Sequence, residues 1–183
     1  VALNKKLSDP NWATIGDFKG TASEVAAIKA ALKVVEDANV TITPSGQISA
    51  ADANALVVAS NGIVTADIKD GSVAATLKAL KDVDGDLQAN VLTFKSTDKT
   101  ADAKDLVDLD ALLDTSNFAS VQTITSKAAD IGTNGKNVTD ALALATVGHP
   151  AVTITNGTIS AAEASAISAA TDGKVTAIIT PDI

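Results

Sequence analysis

The strongest constraint on this chain is an internal repeat. Residues 41–68 read TITPSGQISAADANALVVASNGIVTADI, and residues 153–179 read TITNGTISAAEASAISAATDGKVTAII. In both copies a β-like run precedes a Gly turn, an Ile-Ser-Ala-Ala-acid segment, an Ala-rich helix and a second β-like run. Repeats of this length are supersecondary units that bury their apolar faces by stacking on their neighbours. The repeat therefore predicts an α/β fold built from similar units.

Six β-branched runs divide the chain at intervals of 23 to 31 residues, the range of repeats that carry one strand and one helix. The runs begin at Val40, Val64, Val91, Val121, Val152 and Val175. Helices are predicted before the first run, at residues 21–36, and between the runs, at residues 49–60, 72–81, 100–113, 137–146 and 160–171.

Helix starts and ends have recognisable signals. A hydroxyl residue followed three positions later by an acid can form a capping box, in which each side chain binds the other residue's backbone amide. The pairs are Thr21 with Glu24, Ser49 with Asp52 and Ser160 with Glu163. Gly62 and Gly173 are expected to end two helices in the left-handed conformation, which glycine adopts without penalty.

Strands that alternate with helices through short loops are expected to be parallel, with right-handed crossovers. A doubly wound sheet has helices on both faces and apolar strands throughout. A solenoid has its helices on one face. Val40 and Ile42 point to one face and Thr41 and Thr43 to the other, which favours a solenoid with one parallel sheet and about six β/α units. The doubly wound sheet remains the alternative.

Residues 1–20 do not fit the repeat. They hold Trp12 and Phe18, two of only four aromatic residues. The first unit of a solenoid leaves an apolar end that needs covering. We therefore predict a capping segment at residues 1–20, followed by the repeat domain at residues 21–183.

Composition argues against several functions. The formal net charge is −8, and all fourteen basic residues are Lys. Bidentate recognition of phosphate or guanine requires Arg, and stacking on single strands requires aromatic residues, so nucleic-acid binding is not expected. An acidic surface disfavours anionic membranes, and the chain has no apolar run long enough for membrane insertion. It has no Cys, so thiolate chemistry is excluded.

One acidic loop resembles the opening of a calcium site. Asp82, Asp84 and Asp86 alternate as carboxylates do around one hard cation. The sixth position of the loop is Leu87 rather than Gly, and the twelfth is Thr93 rather than Glu. These three Asp residues are the calcium candidate of the sequence, and no other cofactor is expected.

The segment from Ile48 to Leu56, followed by Gly62-Ile63-Val64-Thr65-Ala66, resembles Ala/Thr-rich β/α repeats of very large secreted bacterial surface proteins, of the adhesin or surface-layer type of cyanobacteria and green sulfur bacteria. The likeness covers residues 21–183. It implies a structural or adhesive role outside the cell or at its surface, and it offers no catalytic residue to carry over.

Three functional hypotheses follow. The first is a structural or adhesive module without catalysis, which self-associates or contacts neighbouring repeats of a longer chain through its C-terminal edge strand. The second is a module that binds a glycan, a surface or ice through the Thr-rich sheet face. The third is an enzyme on a doubly wound sheet, whose site lies at the carboxyl ends of the strands. Its candidate residues are Asp67, Asp70, Asp98 and His149, the only histidine.

Overall fold

The computed structural model describes residues 17–32, 40–60, 62–81, 87–145 and 149–181. Within these ranges the protein is α/β, with parallel strands that alternate with helices. The chain divides into two compact units. The first comprises Val1–Lys69, Lys78–Phe94 and Leu112–Thr115, and the second comprises Asp70–Leu77, Lys95–Ala111 and Ser116–Ile183.

The described residues form nine strands and six α-helices. The strands are β1 (Asp17–Thr21), β2 (Thr41–Ser45), β3 (Thr65–Gly71), β4 (Val91–Ser96), β5 (Thr100–Asp102), β6 (Thr115–Asn117), β7 (Thr123–Lys127), β8 (Ala151–Ile159) and β9 (Val175–Ile179). The helices are α1 (Val25–Leu32), α2 (Ala50–Ala59), α3 (Val73–Lys81), α4 (Ala103–Asp110), α5 (Lys136–Leu144) and α6 (Ala161–Ala169).

The strands lie in three sheets rather than the single sheet predicted. Their orders are β1-β2, β3-β4-β6 and β5-β7-β8-β9. Two isolated parallel bridges pair Ile42 of β2 with Val64, just before β3, and Ile48, just after β2, with Ile68 of β3. In each sheet the strands follow one another in chain order, as expected when successive units add a strand to the same edge.

Alternating burial explains why these runs form strands. In β2, β4, β7 and the first half of β8, every second residue is buried and the residues between are partly or fully exposed. A strand places successive side chains on opposite faces, so this pattern means one buried face and one open face. The Thr residues lie on the open face, as predicted.

The helices α2, α3, α5 and α6 lie within one or two residues of their predicted positions. The predicted helix at residues 100–113 begins later, because Thr100–Asp102 forms β5 and the Asp102 side chain accepts the Lys104 amide. Of the predicted helix at residues 21–36, α1 accounts for Val25–Leu32, and residues 33–36 lie outside the described part.

The predicted N-terminal cap lies outside the described residues up to position 16. Residues 17–20 of the predicted segment are described. They belong to β1, which pairs in parallel with β2 from Asp17 opposite Thr41 to Thr21 opposite Ser45.

Aliphatic side chains fill the core of each unit, as the low aromatic content requires. In the first unit Ile48, Leu56, Val40 and Val64 are buried, and in the second Ile159, Ile167 and Val152 are buried. The repeat pattern predicts these seven residues, together with Val175, as core residues. Val175 lies in β9 and is only partly buried.

The alignment of the six runs on their first Val is wrong at three places. Ile42 rather than Val40 bridges Val64, and Ile124 rather than Val121 pairs with Val152. Val91 is 38 % exposed, while Leu92 beside it is fully buried. The strands are therefore shifted by one to three residues from the register that the sequence pattern indicated.

Candidate functional site

The open face of the four-stranded sheet carries a row of threonines in register. Thr125 of β7 pairs with Thr153 of β8, and Thr153 pairs with Thr176 of β9. Neighbouring strands lie about 4.8 Å apart, so these three side chains repeat at that spacing. Thr125 and Thr153 are partly exposed and Thr176 is exposed. We call Thr125, Thr153 and Thr176 the Thr row.

The residues that follow the first Val of each of the six runs predict a Thr column with different members. They are Thr41, Thr65, Leu92, Gln122, Thr153 and Thr176, so that column is interrupted by Leu92 and Gln122. Gln122 precedes β7 and Leu92 is buried, so neither residue belongs to the Thr row of this sheet. The true register depends on which strands pair, and this information is absent from the spacing of the Val residues.

The row is polar along its length and charged at one end. Asp102 of β5 pairs with Thr125 and so continues the row beyond β7. The Thr125 hydroxyl donates to the Ala101 carbonyl at 3.3 Å, which fixes the side chain on the sheet. Hydroxyls and methyl groups held at strand spacing can contact a repetitive polar surface, such as a glycan chain.

The last strand of this sheet forms an open edge. Among the described residues β9 pairs only with β8. Two of its large apolar side chains are exposed, Ile178 at 67 % and Ile179 at 50 %. Lys174 precedes the strand and Pro181 follows Thr180. An exposed apolar edge strand presents unpaired backbone groups that another strand can bind.

The four residues proposed for an enzyme each have a local partner. Asp67 accepts a hydrogen bond from the Thr93 hydroxyl at 2.7 Å, and Asp70 lies 3.9 Å from the Lys95 ammonium. These contacts join neighbouring strands on the exposed face.

The other two candidates, Asp98 and His149, also contact neighbouring groups. The Asp98 carboxylate accepts the amide of Val73, the first residue of α3, at 2.8 Å. Nδ1 of His149 lies 3.1 Å from the Asp172 carboxylate, and both side chains are mostly exposed. None of these contacts joins two of the four candidate residues.

The calcium candidate cannot be placed on the fold, because Asp82, Asp84 and Asp86 lie outside the described residues. Leu87, the sixth position of that loop, is buried. The described residues contain no group of three or more His, Asp or Glu side chains suited to hold a metal ion.

A shallow groove of about 420 Å³ lies where β1 and β2 end, a feature that the sequence pattern did not indicate. It is lined by Lys19, Gly20, Thr21, Glu24, Thr43 and Ser45. The Glu24 carboxylate accepts the Thr21 amide at 2.8 Å and so caps the helix that follows. The groove is wide open to solvent, and its one carboxylate is engaged in this cap.

Comparison with models of protein families, with curated proteins and with solved structures finds no match to this chain. None of the helices in the described part combines the length and hydrophobicity that a membrane span requires.

Proposed function

We propose that this chain is a structural or adhesive module of an extracellular surface protein or fibre and that it works without catalysis. The architecture proposed with this function is a β/α solenoid of about six units, with the helices on one face of the strands. The alternating burial in β2, β4 and β7 supports it, because a doubly wound sheet buries both faces of its strands.

The observation that carries this proposal is a turn with the same hydrogen bonds in both repeat copies. In the first copy the Ser60 hydroxyl donates to the Val40 carbonyl at 3.1 Å and accepts the Gly62 amide at 3.0 Å. In the second copy the Thr171 hydroxyl donates to the Pro150 carbonyl at 3.0 Å and accepts the Gly173 amide at 2.9 Å. Turns that recur in this way are typical of proteins built as arrays of similar units rather than around one pocket.

The test is the location of the protein and the consequence of its loss. Antibodies against this chain are expected to label intact, unpermeabilised cells of the source organism. Deletion of the coding segment is expected to alter the cell surface in electron micrographs or to reduce adherence, and the wild-type segment should restore it. A protein found only inside the cell would contradict the proposal.

The Thr row supports a second candidate, a binding module for a glycan, a mineral surface or ice. A glycan array and an ice-recrystallisation assay test it directly. Thr153→Lys places a long charged side chain at the centre of the row and is expected to abolish binding. Thr43→Lys changes an exposed threonine on β2 and is the matched control. Binding that survives Thr153→Lys would exclude the row as the binding face.

A further inference from the structure

The open edge of β9 has a covered counterpart within the same chain. The bridges of Ile42 with Val64 and of Ile48 with Ile68 in the first copy match the pairs Val152 with Val175 and Ile159 with Ile179 in the second. Val175 and Ile179 are therefore the counterparts of Val64 and Ile68. Ile68 is 1 % exposed, whereas Ile179 is 50 % exposed. The same position in the repeat is thus buried in one copy and open in the other.

The first copy also shows what covers this edge. The Val91 amide donates to the Val64 carbonyl at 2.9 Å, so the following strand β4 pairs with β3. The counterpart of that acceptor in the second copy is the Val175 carbonyl. The open edge is therefore suited to another β/α unit of this type that follows in the same direction.

Backbone geometry shows which groups of β9 are free for such a unit. The Lys174 carbonyl accepts the Val152 amide, and the Thr180 amide donates to the Ile159 carbonyl, each at 2.8 Å. Residues 174 and 180 therefore face β8. Because backbone groups alternate in direction along a strand, those of Val175, Ala177 and Ile179 face away from β8.

The complementary edge lies at the other end of the described chain. β1 pairs with β2 on one side and, among the described residues, has no strand on its other side. Strands follow one another in chain order in every sheet, and among the described residues no strand follows β9 or precedes β1. The β9 strand of one molecule and the β1 strand of another can therefore pair in parallel without changing either sheet.

We propose that a second copy of this chain docks its β1 on the open edge of β9, in a head-to-tail contact that repeats from copy to copy. The contact is heterologous, so it produces an open fibre rather than a closed dimer. Each copy carries a net charge of −8, which opposes association. Because added salt screens this repulsion, association is expected to strengthen with ionic strength.

Sedimentation of the full chain, over a range from about 5 µM to about 1 mM, tests the proposal. Wild type is expected to form a series of oligomers that extends beyond the dimer. Ile178→Lys adds a charge to the edge and is expected to lower the fraction of associated chains at least tenfold. Val58→Lys adds the same charge at an equally exposed apolar residue of α2 and is expected to associate like wild type.

Ala177→Pro removes one outward-facing amide without changing the charge, and proline is tolerated on edge strands when its nitrogen faces solvent. It is expected to abolish association while the far-ultraviolet circular dichroism and the Tm stay near those of wild type. Equal association by Ala177→Pro and wild type would overturn the proposal.

A mixing experiment establishes the polarity of the contact. The Ile178→Lys chain keeps its β1 edge, so adding it to wild type is expected to shorten the oligomers by capping their β9 ends. A species that stops at the dimer would overturn the proposal, since it indicates that two β9 edges pair with each other. A chain that stays monomeric throughout the concentration range would also overturn it.

The inference rests on the proposed structural role, but different results would contradict the inference and the role. A monomeric chain found on the cell surface would remove the fibre and leave the surface role. A chain that polymerises but is found only inside the cell would remove the surface role and leave the contact.

Discussion

Gly62 and Gly173 occupy positions where no other residue fits. Neither has a positive φ, so the prediction that they end helices in the left-handed conformation is wrong for both. A Cβ on Gly62 would overlap the backbone carbonyl of Val40, and a Cβ on Gly173 would overlap that of Pro150. Glycine is required here because the chain passes directly against the preceding strand.

Substitution of Gly62 or Gly173 by Ala is expected to lower the free energy of unfolding by about 3 kcal/mol or more, because the backbone must move to make room. Gly46 has a φ of 81° and no atom within 4 Å of an added Cβ. Gly46→Ala is therefore expected to cost only about 1–2 kcal/mol, from conformational strain alone. Urea unfolding of the three variants measures the difference. Equal losses for all three would contradict the close-approach explanation.

Asn90 is a polar residue in a core position, 7 % exposed. Its side-chain oxygen accepts the Val64 amide at 2.7 Å. This bond satisfies a buried backbone donor just before β3 begins, where β4 has not yet started.

Asn90→Ala leaves the Val64 amide buried without this acceptor and is expected to destabilise the protein by about 1–3 kcal/mol. Gln122→Ala, at an exposed polar residue, is the control and is expected to change stability by less than about 0.5 kcal/mol. Hydrogen exchange at the Val64 amide is expected to accelerate in Asn90→Ala. Unchanged exchange and stability would show that the bond contributes nothing.

At the scale of the element, the helix starts follow local chemistry. The Ser160 hydroxyl accepts the Glu163 amide at 3.2 Å, and the Glu163 carboxylate accepts the Ser160 amide at 2.8 Å. The predicted capping box is thus confirmed for α6. In α2 the Asp52 side chain is shorter, and its carboxylate accepts the Ser49 hydroxyl at 2.7 Å instead.

The α6 cap makes a pH-dependent contribution to stability. Hydrogen bonds from the Ser160 amide and hydroxyl hold the pKa of Glu163 below its ordinary value of 4.5. A carboxyl whose pKa is lowered by folding stabilises the folded state above its unfolded pKa, and this stabilisation disappears as the pH falls through the folded pKa. Unfolding free energy is therefore expected to fall as the pH drops below about 4.5.

An NMR pH titration checks the cause. Ser160→Ala removes the hydroxyl and is expected to raise the pKa of Glu163 toward its ordinary value. Ser165→Ala, at an exposed residue of the same helix, is expected to leave that pKa unchanged. If Ser160→Ala does not alter the Glu163 titration, the capping bonds are not the cause of the shift.

At the scale of the whole molecule, the two repeat copies share a helix start, a hydrogen-bonded turn and a pair of strand contacts. Their difference is burial, because Ile68 is covered and Ile179 is not. In the solenoid proposed above, stability is expected to come from contacts between neighbouring repeats.

Calcium is therefore expected to leave the Tm unchanged at about 5 mM, since a ligand raises the Tm only when it binds the folded state. Thermal melts with calcium, and with magnesium as the control, measure this. A large rise with calcium alone, abolished by Asp84→Ala but not by Asp114→Ala, would show that the acidic loop is a calcium site.

The sequence by itself determined the α/β class, the positions of most helices and the open face that carries the threonines. These features depend on residues two to four positions apart, such as the alternation of Thr with Val or Ile and the capping pairs. Local spacing therefore contains enough information to predict them.

Tertiary structure decided the strand register, the requirement for glycine at Gly62 and Gly173, and the exposure of β9. Ile42 pairs with Val64 although Val40 opens the run, and this shift of two residues keeps the same side chains inward because a strand repeats every second residue. The members of the Thr row follow from that pairing. Register, close approach and edge exposure depend on residues more than twenty positions apart, whose distances only folding determines.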